Sequence, residues 1–234
     1  IEKGNIVADM GGGTGKLGKK ISEERPDADV LVTDVSRQAS EEAAKELDKA
    51  SVQNGSHHVI QTSGLKGLKD SYFSQIYAVN VLQAMDNPEK GLRQVYDKLE
   101  ESGKAVATVP GEESAEIFPQ KAVRYDEDLD LPYIQVPGVL EGDEISYSQY
   151  ILPEEWMEET IKDIGFKVKD EYPEKILSDP TGLTYMSKIL DDDYSPDIPV
   201  PAAMALEKIP SGTVRKTLDY LDKGPEVDLW VMEK

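Results

Sequence analysis

The amino-acid sequence predicts an α/β fold in which helices cover both faces of a mostly parallel sheet. Short apolar runs alternate with amphipathic segments as far as residue 109. These runs lack strict alternation of polar and apolar residues, which is typical of parallel strands buried on both faces. The first run, Ile6–Val7–Ala8, leads directly into a glycine-rich loop and then a helical pattern. A strand, a turn and a helix in this order form the repeating unit of open α/β sheets.

Each element follows from a local pattern. A helix begins near Lys16 and ends before Pro26, with its apolar side marked by Leu17 and Ile21. The segment 37–50 is rich in strong helix formers. Asn87–Pro88 suits the cap and first position of a helix that runs to about Glu100 and is stopped by Gly103. The remaining predicted strands cover 29–34, 58–61, 76–79, 104–109, 165–168 and 227–232, and a last helix covers 152–164.

Two segments interrupt this alternation. The segment 111–150 contains three prolines and five aromatic residues, and it is too long for a plain connection within a compact domain. We expect it to form an insertion on the substrate side of the sheet, after the fifth strand. A second insertion is expected at 178–225, with two short helices at 183–190 and 213–221. We therefore expect a single domain spanning residues 1–234.

Composition excludes several classes of partner. The net charge is −20, from 46 acidic and 26 basic side chains, so this acidic protein should repel nucleic acid. No apolar run of about 18 residues is present, which predicts no membrane span. The lack of cysteine and of a signal peptide favours a cytoplasmic location. Because the first residue is Ile rather than Met, we expect the chain to be trimmed at its start.

The glycine loop after the first strand can be tested against known loop chemistries. A nucleotide-phosphate loop needs a Ser or Thr after Gly-Lys, but Lys16 is followed by Leu17. A dinucleotide loop, GxGxxG, matches Gly13, Gly15 and Gly18, and Asp34 stands where a ribose-binding acid would follow. The glycines could also serve only a tight turn between strand and helix. These residues alone leave the ligand open.

A wider pattern supports a further interpretation. The stretch DMGGGTG resembles the first motif of class I S-adenosylmethionine-dependent methyltransferases, with Asp9, Gly11, Gly13 and Gly15 on the motif positions. The resemblance covers roughly residues 4–109 and 150–170. It implies a Rossmann-like three-layer sandwich whose seven-stranded, mostly parallel sheet has its last strand antiparallel, with lid insertions after strands 5 and 6. It also implies S-adenosyl-L-methionine as cofactor and a transferase activity.

The resemblance assigns cofactor contacts residue by residue. Asp9 is expected to favour the ammonium of the cofactor, directly or through water, and Asp34 to accept from the ribose hydroxyls. The segment 73–85 resembles the fourth-strand segment of the family, which places Asn80 and Val81 beside the methionine side of the cofactor. The complete predicted cofactor set is Asp9, Met10, Gly11, Gly12, Gly13, Asp34, Val35, Thr62, Ser63, Gly64, Asn80 and Val81.

The chain departs from the family pattern at positions that affect adenine binding and catalysis. Thr62–Ser63 replaces the acid that often binds adenine, Ser74 replaces an acid before the fourth strand, and Gln83–Ala84 replaces a common histidine pair. The two histidines, His57 and His58, are expected before the third strand, away from the cofactor. Catalytic residues are therefore left unassigned.

The acceptor side is predicted only in outline. Tyrosines of the 111–150 insertion could line an acceptor pocket, and Tyr125 with Asp126 is the most suggestive pair. No metal-ligand spacing occurs in the sequence, so no metal is expected. We expect methyl transfer to a small-molecule acceptor, in a protein that could form a homodimer. The alternatives are an NAD(P)-dependent oxidoreductase using the same loop and a non-catalytic methyltransferase-like binding protein.

Overall fold

A computed structural model describes residues 6–50, 55–110, 122–140, 143–168 and 227–234. The ten strands in this part of the chain are β1 (Ile6–Met10), β2 (Asp29–Asp34), β3 (Ser56–Gln61), β4 (Phe73–Val79), β5 (Leu99–Pro110), β6 (Val123–Asp126), β7 (Leu131–Leu140), β8 (Asp143–Tyr150), β9 (Lys167–Val168) and β10 (Val227–Glu233). The helices are α1 (Lys16–Glu24), α2 (Arg37–Leu47), α3 (Pro88–Lys98) and α4 (Glu154–Ile164), with a 3-10 helix at Leu82–Ala84.

The central sheet has seven strands in the order β3-β2-β1-β4-β5-β10-β9. Strands β1 to β5 pair in parallel, whereas β10 runs antiparallel to both of its neighbours, β5 and β9. The predicted fold class is therefore confirmed, including the antiparallel last strand. The direction of winding changes between β1 and β4, and open α/β sheets bind ligands at the carboxyl ends of strands beside such a switch point.

Burial on both faces of the sheet explains why polar and apolar residues do not alternate along the strands. Val7, Ala8 and Met10 of β1 are all fully buried. Val7 packs in a cluster with residues of α1, while Ala8 and Met10 belong to the larger cluster on the other face with residues of α3 and α4. A strand covered on both faces has no solvent side to carry polar residues. None of the described helices is long and apolar enough to cross a membrane.

Two predicted helix ends are wrong. Helix α3 ends at Lys98 rather than near Glu100, because Leu99 is already extended, fully buried and paired with Phe73 at the start of β5. The pairing of β4 with β5 then shifts its register, and Ser102 adopts a φ of 65° within the irregular stretch. Helix α2 ends at Leu47, before the predicted residue 50.

The histidine pair also lies elsewhere than predicted. His57 and His58 are within β3, opposite Val30 and Leu31 of β2, and not before the strand. Pairing with β2 extends β3 back to Ser56, whose hydroxyl donates to the Asp29 carboxylate at 2.6 Å. Both histidines still lie in the amino-terminal half of the strand, away from the carboxyl edge of the sheet.

Part of the first predicted insertion forms a separate antiparallel sheet. We call strands β6, β7 and β8, in that order across the sheet, the small sheet. Its buried Leu131 and Tyr150 belong to the same core cluster as Leu82 in the 3-10 helix. The small sheet therefore packs beside the segment that follows β4. Residues 111–121 and 141–142, and the second predicted insertion at 178–225 with its two helices, lie outside the described residues.

Candidate cofactor site

The glycine loop turns sharply at the carboxyl end of β1. Gly11 and Gly13 have φ values of 68° and 55°, a region that side-chain-bearing residues rarely adopt. The Gly12 amide donates to the Thr33 carbonyl of β2 at 3.0 Å, so the loop is joined to the neighbouring strand. The loop thus lies across the ends of β1 and β2, where the fold predicts a ligand.

Asp34 at the end of β2 holds the far side of this loop. Its Oδ2 accepts from the Gly13 amide at 3.0 Å, and its Oδ1 accepts from the Ser36 amide at 2.9 Å. The residue is only half-buried, and a carboxylate has about four acceptor positions. Two backbone bonds therefore leave capacity for further donors such as hydroxyl groups.

Asp9 lies beneath the loop rather than at its surface. Its side chain is 1% exposed, and Oδ2 accepts from the Gly18 amide in α1 at 3.0 Å. Burial raises the pKa of this carboxyl to about 7, against the lowering effect of the Gly18 hydrogen bond, and the charge of Asp34 raises it further. Asp9 therefore joins β1 to α1 and carries a proton that can be lost near neutral pH. The predicted contact with a cofactor ammonium stays a prediction.

The segment after β4 reaches the other side of the loop. A Cβ placed on Gly11 would stand 2.3 Å from Cγ2 of Val81, so the Val81 side chain packs closely against the backbone of Gly11. Asn80 has a φ of 50°, and its amide donates to the backbone carbonyl and to the hydroxyl of Thr108 in β5, each at 3.1 Å. This bracing by Thr108 was not predicted from the sequence, because it joins residues on different strands.

The segment after β3 completes the edge. The Thr62 amide donates to the Asp34 carbonyl at 2.8 Å, and the Thr62 hydroxyl donates to the Lys66 carbonyl at 3.1 Å. Gly64 has a φ of 59° and approaches Gln94 of α3. Ser63 is exposed between them. The structure thus brings together every segment of the predicted cofactor set.

The glycines divide into two groups by what surrounds them. A Cβ on Gly15 would meet Ala43 of α2 at 2.9 Å, and one on Gly18 would meet Val32 of β2 at 2.4 Å. These two glycines allow close packing of α1. A Cβ on Gly13 would have no atom within 4 Å, and the neighbouring Val35 is 55% exposed. The space next to Gly13 and the carboxylate of Asp34 is therefore open.

The predicted pair of Tyr125 and Asp126 does not form a hydrogen bond. The Tyr125 hydroxyl donates to Asp130, and the Asp126 Oδ2 instead accepts from the Tyr150 hydroxyl at 2.9 Å. The hairpin turn between β6 and β7 separates the two carboxylates and presents each to a different tyrosine. Within the described ranges, no group of three or more His, Cys, Asp or Glu side chains is arranged to hold a metal ion.

Comparison with known proteins agrees with this arrangement. Residues 8–105 match a family model described as a methyltransferase domain. A search of curated protein sequences finds no match. At identities of 12–17%, the likeness to solved structures concerns the fold and leaves the substrate open.

Three solved structures illustrate the likeness. An S-adenosylmethionine-dependent methyltransferase from Mesorhizobium loti is 15% identical, with a TM-score of 0.52, covering 100% of this chain and 93% of the other. The cyclase SpnF is 15% identical, with a TM-score of 0.56 and coverage of 100% and 76%. Phosphoethanolamine N-methyltransferase 2 from Haemonchus contortus, in complex with S-adenosyl-L-methionine, is 16% identical, with a TM-score of 0.51 and coverage of 100% and 49%.

The contrast between Gly11 and Gly13 can be tested by substitution. Both have positive φ, so each change to Ala adds backbone strain of about 1 kcal/mol or more. Only Gly11→Ala also forces a Cβ into Val81. We expect Gly11→Ala to lower the melting temperature by several degrees more than Gly13→Ala, measured by differential scanning calorimetry. Equal losses would show that the loop does not press against Val81.

The buried carboxyl of Asp9 predicts a specific dependence of stability on pH. Its pKa is raised from 3.8 to about 7 in the folded state, so the folded chain holds the proton more tightly than the unfolded chain. Stability that is present at low pH is therefore lost as pH rises through 4–7. Between pH 5 and 8, the free energy of unfolding of the native chain should fall by about 2 kcal/mol or more relative to that of the Asp9→Asn variant. Urea unfolding of both proteins measures this difference, and parallel pH profiles would contradict it.

Proposed function

We propose that the chain transfers a methyl group from S-adenosyl-L-methionine to a small-molecule acceptor, because residues 8–105 match a methyltransferase domain and the fold is similar to that of S-adenosylmethionine-dependent methyltransferases. The observation that carries the proposal is the glycine loop, which is joined to Asp34 on one side and packed against Val81 on the other. Three strand ends thereby meet around one open space above Gly13.

The residues around this space fit the cofactor. The free acceptor positions of Asp34 suit the two hydroxyl groups of a ribose, and exposed Val35 offers an apolar surface to an adenine ring. The loop backbone at Gly11–Gly13 and the segment Asn80–Val81 would hold the methionine part. Thr62, Ser63 and Gly64 supply hydroxyl and backbone groups beside the adenine, in place of the acid that the family often has there.

Little acid–base chemistry is required of the chain. When bound, the cofactor would supply an electrophilic methyl group on a positively charged sulfur, and the carbon–sulfur electron pair would stay on sulfur as the acceptor lone pair bonded to the methyl carbon. The chain then has to bind the acceptor, align it and exclude water. The small sheet, which packs beside the segment after β4, is the proposed acceptor wall. A small acceptor also agrees with the net charge of −20, which disfavours nucleic acid. A cytoplasmic location and a homodimer stay predictions.

Sheet topology disfavours an oxidoreductase. A dinucleotide-binding sheet of the common type is parallel throughout, with the order 3-2-1-4-5-6. Here the antiparallel strand β10 lies between β5 and β9. Gly15, whose backbone the dinucleotide pattern needs near the phosphates, instead packs against Ala43 of α2. A non-catalytic protein that keeps the cofactor site remains the alternative, and an activity assay decides between the two.

Ligand-dependent stability tests the cofactor. We expect S-adenosylhomocysteine at 100 times its dissociation constant to stabilise the folded chain by about 2.7 kcal/mol. Thermal denaturation with S-adenosylhomocysteine, with NAD and without ligand measures the effect. A rise in melting temperature with NAD alone would contradict the proposal. Stabilisation by S-adenosylhomocysteine without methyl transfer to any acceptor would favour the binding protein.

The role of Asp34 can be tested against a matched acid on the same strand. Asp34→Ala should weaken binding of S-adenosylmethionine more than tenfold, since a hydrogen bond to a charged group contributes about 1.5–3 kcal/mol. Asp29→Ala makes the same change at the opposite end of β2 and should leave affinity unchanged. Isothermal titration calorimetry measures both, and equal affinities for Asp34→Ala and the native chain would refute the ribose contact.

A further inference from the structure

Gln83 is a buried polar residue without a partner. Its side chain is 5% exposed, and among the described residues its Oε1 has no hydrogen-bond donor. A buried carbonyl oxygen left unpaired is unfavourable, so native proteins keep few of them. An N–H or O–H group of a bound ligand would supply the missing donor.

The position of Gln83 connects it to the acceptor side of the site. It lies in the 3-10 helix Leu82–Ala84, directly after Asn80–Val81, which the proposed function places beside the methionine part of the cofactor. The 3-10 helix packs beside β8 of the small sheet. The Tyr150 hydroxyl at the end of β8 lies 3.3 Å from the carbonyl oxygen of Asp86, three residues after Gln83. Gln83 therefore lies between the cofactor site and the small sheet.

The surroundings of Tyr150 are acidic. Its hydroxyl donates to Asp126 Oδ2 at 2.9 Å. Burial, this hydrogen bond, and then the charges of Asp126 and Asp86 raise the pKa of Tyr150 to about 12. In the part of the chain that the structure describes, neither Asp86 nor Asp126 forms an ion pair with a basic side chain. The Asp126 carboxylate beside this hydroxyl, together with the nearby negative charge of Asp86, attracts a cation.

The bases available on this side of the site limit the chemical class of acceptor that can react. The chain has no cysteine, and both of its histidines lie in the amino-terminal half of β3. An alcohol is a weak nucleophile that needs a positioned base, whereas an uncharged amine carries a reactive lone pair. Burial and hydrogen bonding to a carboxylate make Tyr150 a poor base at neutral pH. This side of the site therefore suits an amine better than an alcohol.

We propose that the methyl acceptor is an amine, whose N–H group donates to the Gln83 side-chain oxygen and whose positive charge, when protonated, is attracted by Asp86 and Asp126. This inference rests on the proposed function and adds the substrate class to it. The site recognises the nitrogen, and the small sheet contacts the rest of the molecule. Release of a proton to a carboxylate or to water leaves the lone pair free before transfer.

Matched amines and alcohols test the substrate class. The native chain is incubated with radiolabelled S-adenosylmethionine and with benzylamine, phenethylamine or butylamine, or with the alcohol of the same skeleton. We expect methylation of at least one amine and of no alcohol. Saturation-transfer NMR with S-adenosylhomocysteine present measures binding of the same compounds without turnover, and only amines should bind.

Substitutions at Gln83 separate recognition from a structural role. Gln83→Leu removes the unpaired oxygen, so its melting temperature should be equal to or above that of the native chain. Binding of the best amine should weaken roughly tenfold. Gln83→Glu retains an acceptor oxygen and should bind the amine better than Gln83→Leu does. If Gln83→Leu is markedly less stable than the native chain, but its folded fraction binds the amine with unchanged affinity, Gln83 serves packing and the inference is overturned.

Substitution of Asp86 tests whether its negative charge attracts the amine. Asp97, on the exposed side of α3, is the control. Asp86→Asn should weaken amine binding several-fold, more at low salt than at high salt, while Asp97→Asn should have no effect. If S-adenosylhomocysteine stabilises the chain but alcohols are methylated, the amine inference is overturned while the proposed function stands. The same holds if S-adenosylhomocysteine stabilises the chain but neither amines nor alcohols are methylated. Absence of any stabilisation by S-adenosylhomocysteine would instead overturn the proposed function.

Discussion

The hydrogen bond from the Gly18 amide to the buried Asp9 carboxylate is the constraint on which the site depends. It fixes the first turns of α1 over the end of β1, so the loop between them has to reverse direction within a few residues. Glycines at positive φ make that reversal possible, and the loop then lies close enough to Thr33, Asp34 and Val81 to join three strand ends.

Most of the fold could be predicted from the sequence, because its strands are buried on both faces and its helices carry clear end signals. Asp29–Asp34 was predicted with its observed bounds, since an apolar run between acidic residues has few alternatives. The Asn87 cap also formed, and its side chain accepts from the Lys90 amide at 2.8 Å. Boundaries failed where tertiary pairing overrides local preference: Leu99 continues a helical stripe in the sequence, yet it starts β5 because Phe73 pairs with it.

The site was predictable only as a set of segments. Motif positions identify which loops meet, because carboxyl ends of neighbouring parallel strands share one edge. The contacts that hold those loops, such as Asn80 with Thr108 or Tyr150 with Asp126, join residues far apart in the chain and leave no local pattern. The orphan oxygen of Gln83 has no sequence signal at all beyond the unusual residue at that position. Burial and the lack of a partner are properties of the folded chain.

The antiparallel strand β10 has a consequence for synthesis. Pro110 of β5 pairs with Val227, and among the residues that the structure describes β9 joins the sheet only through β10. During translation, β1 to β5 can form the cofactor edge well before residues 227–233 have been made. Until then β5 presents an unpaired edge and β9 has no partner in the central sheet. A nascent chain at this stage offers an open strand edge to other chains, which favours aggregation until β10 pairs with β5.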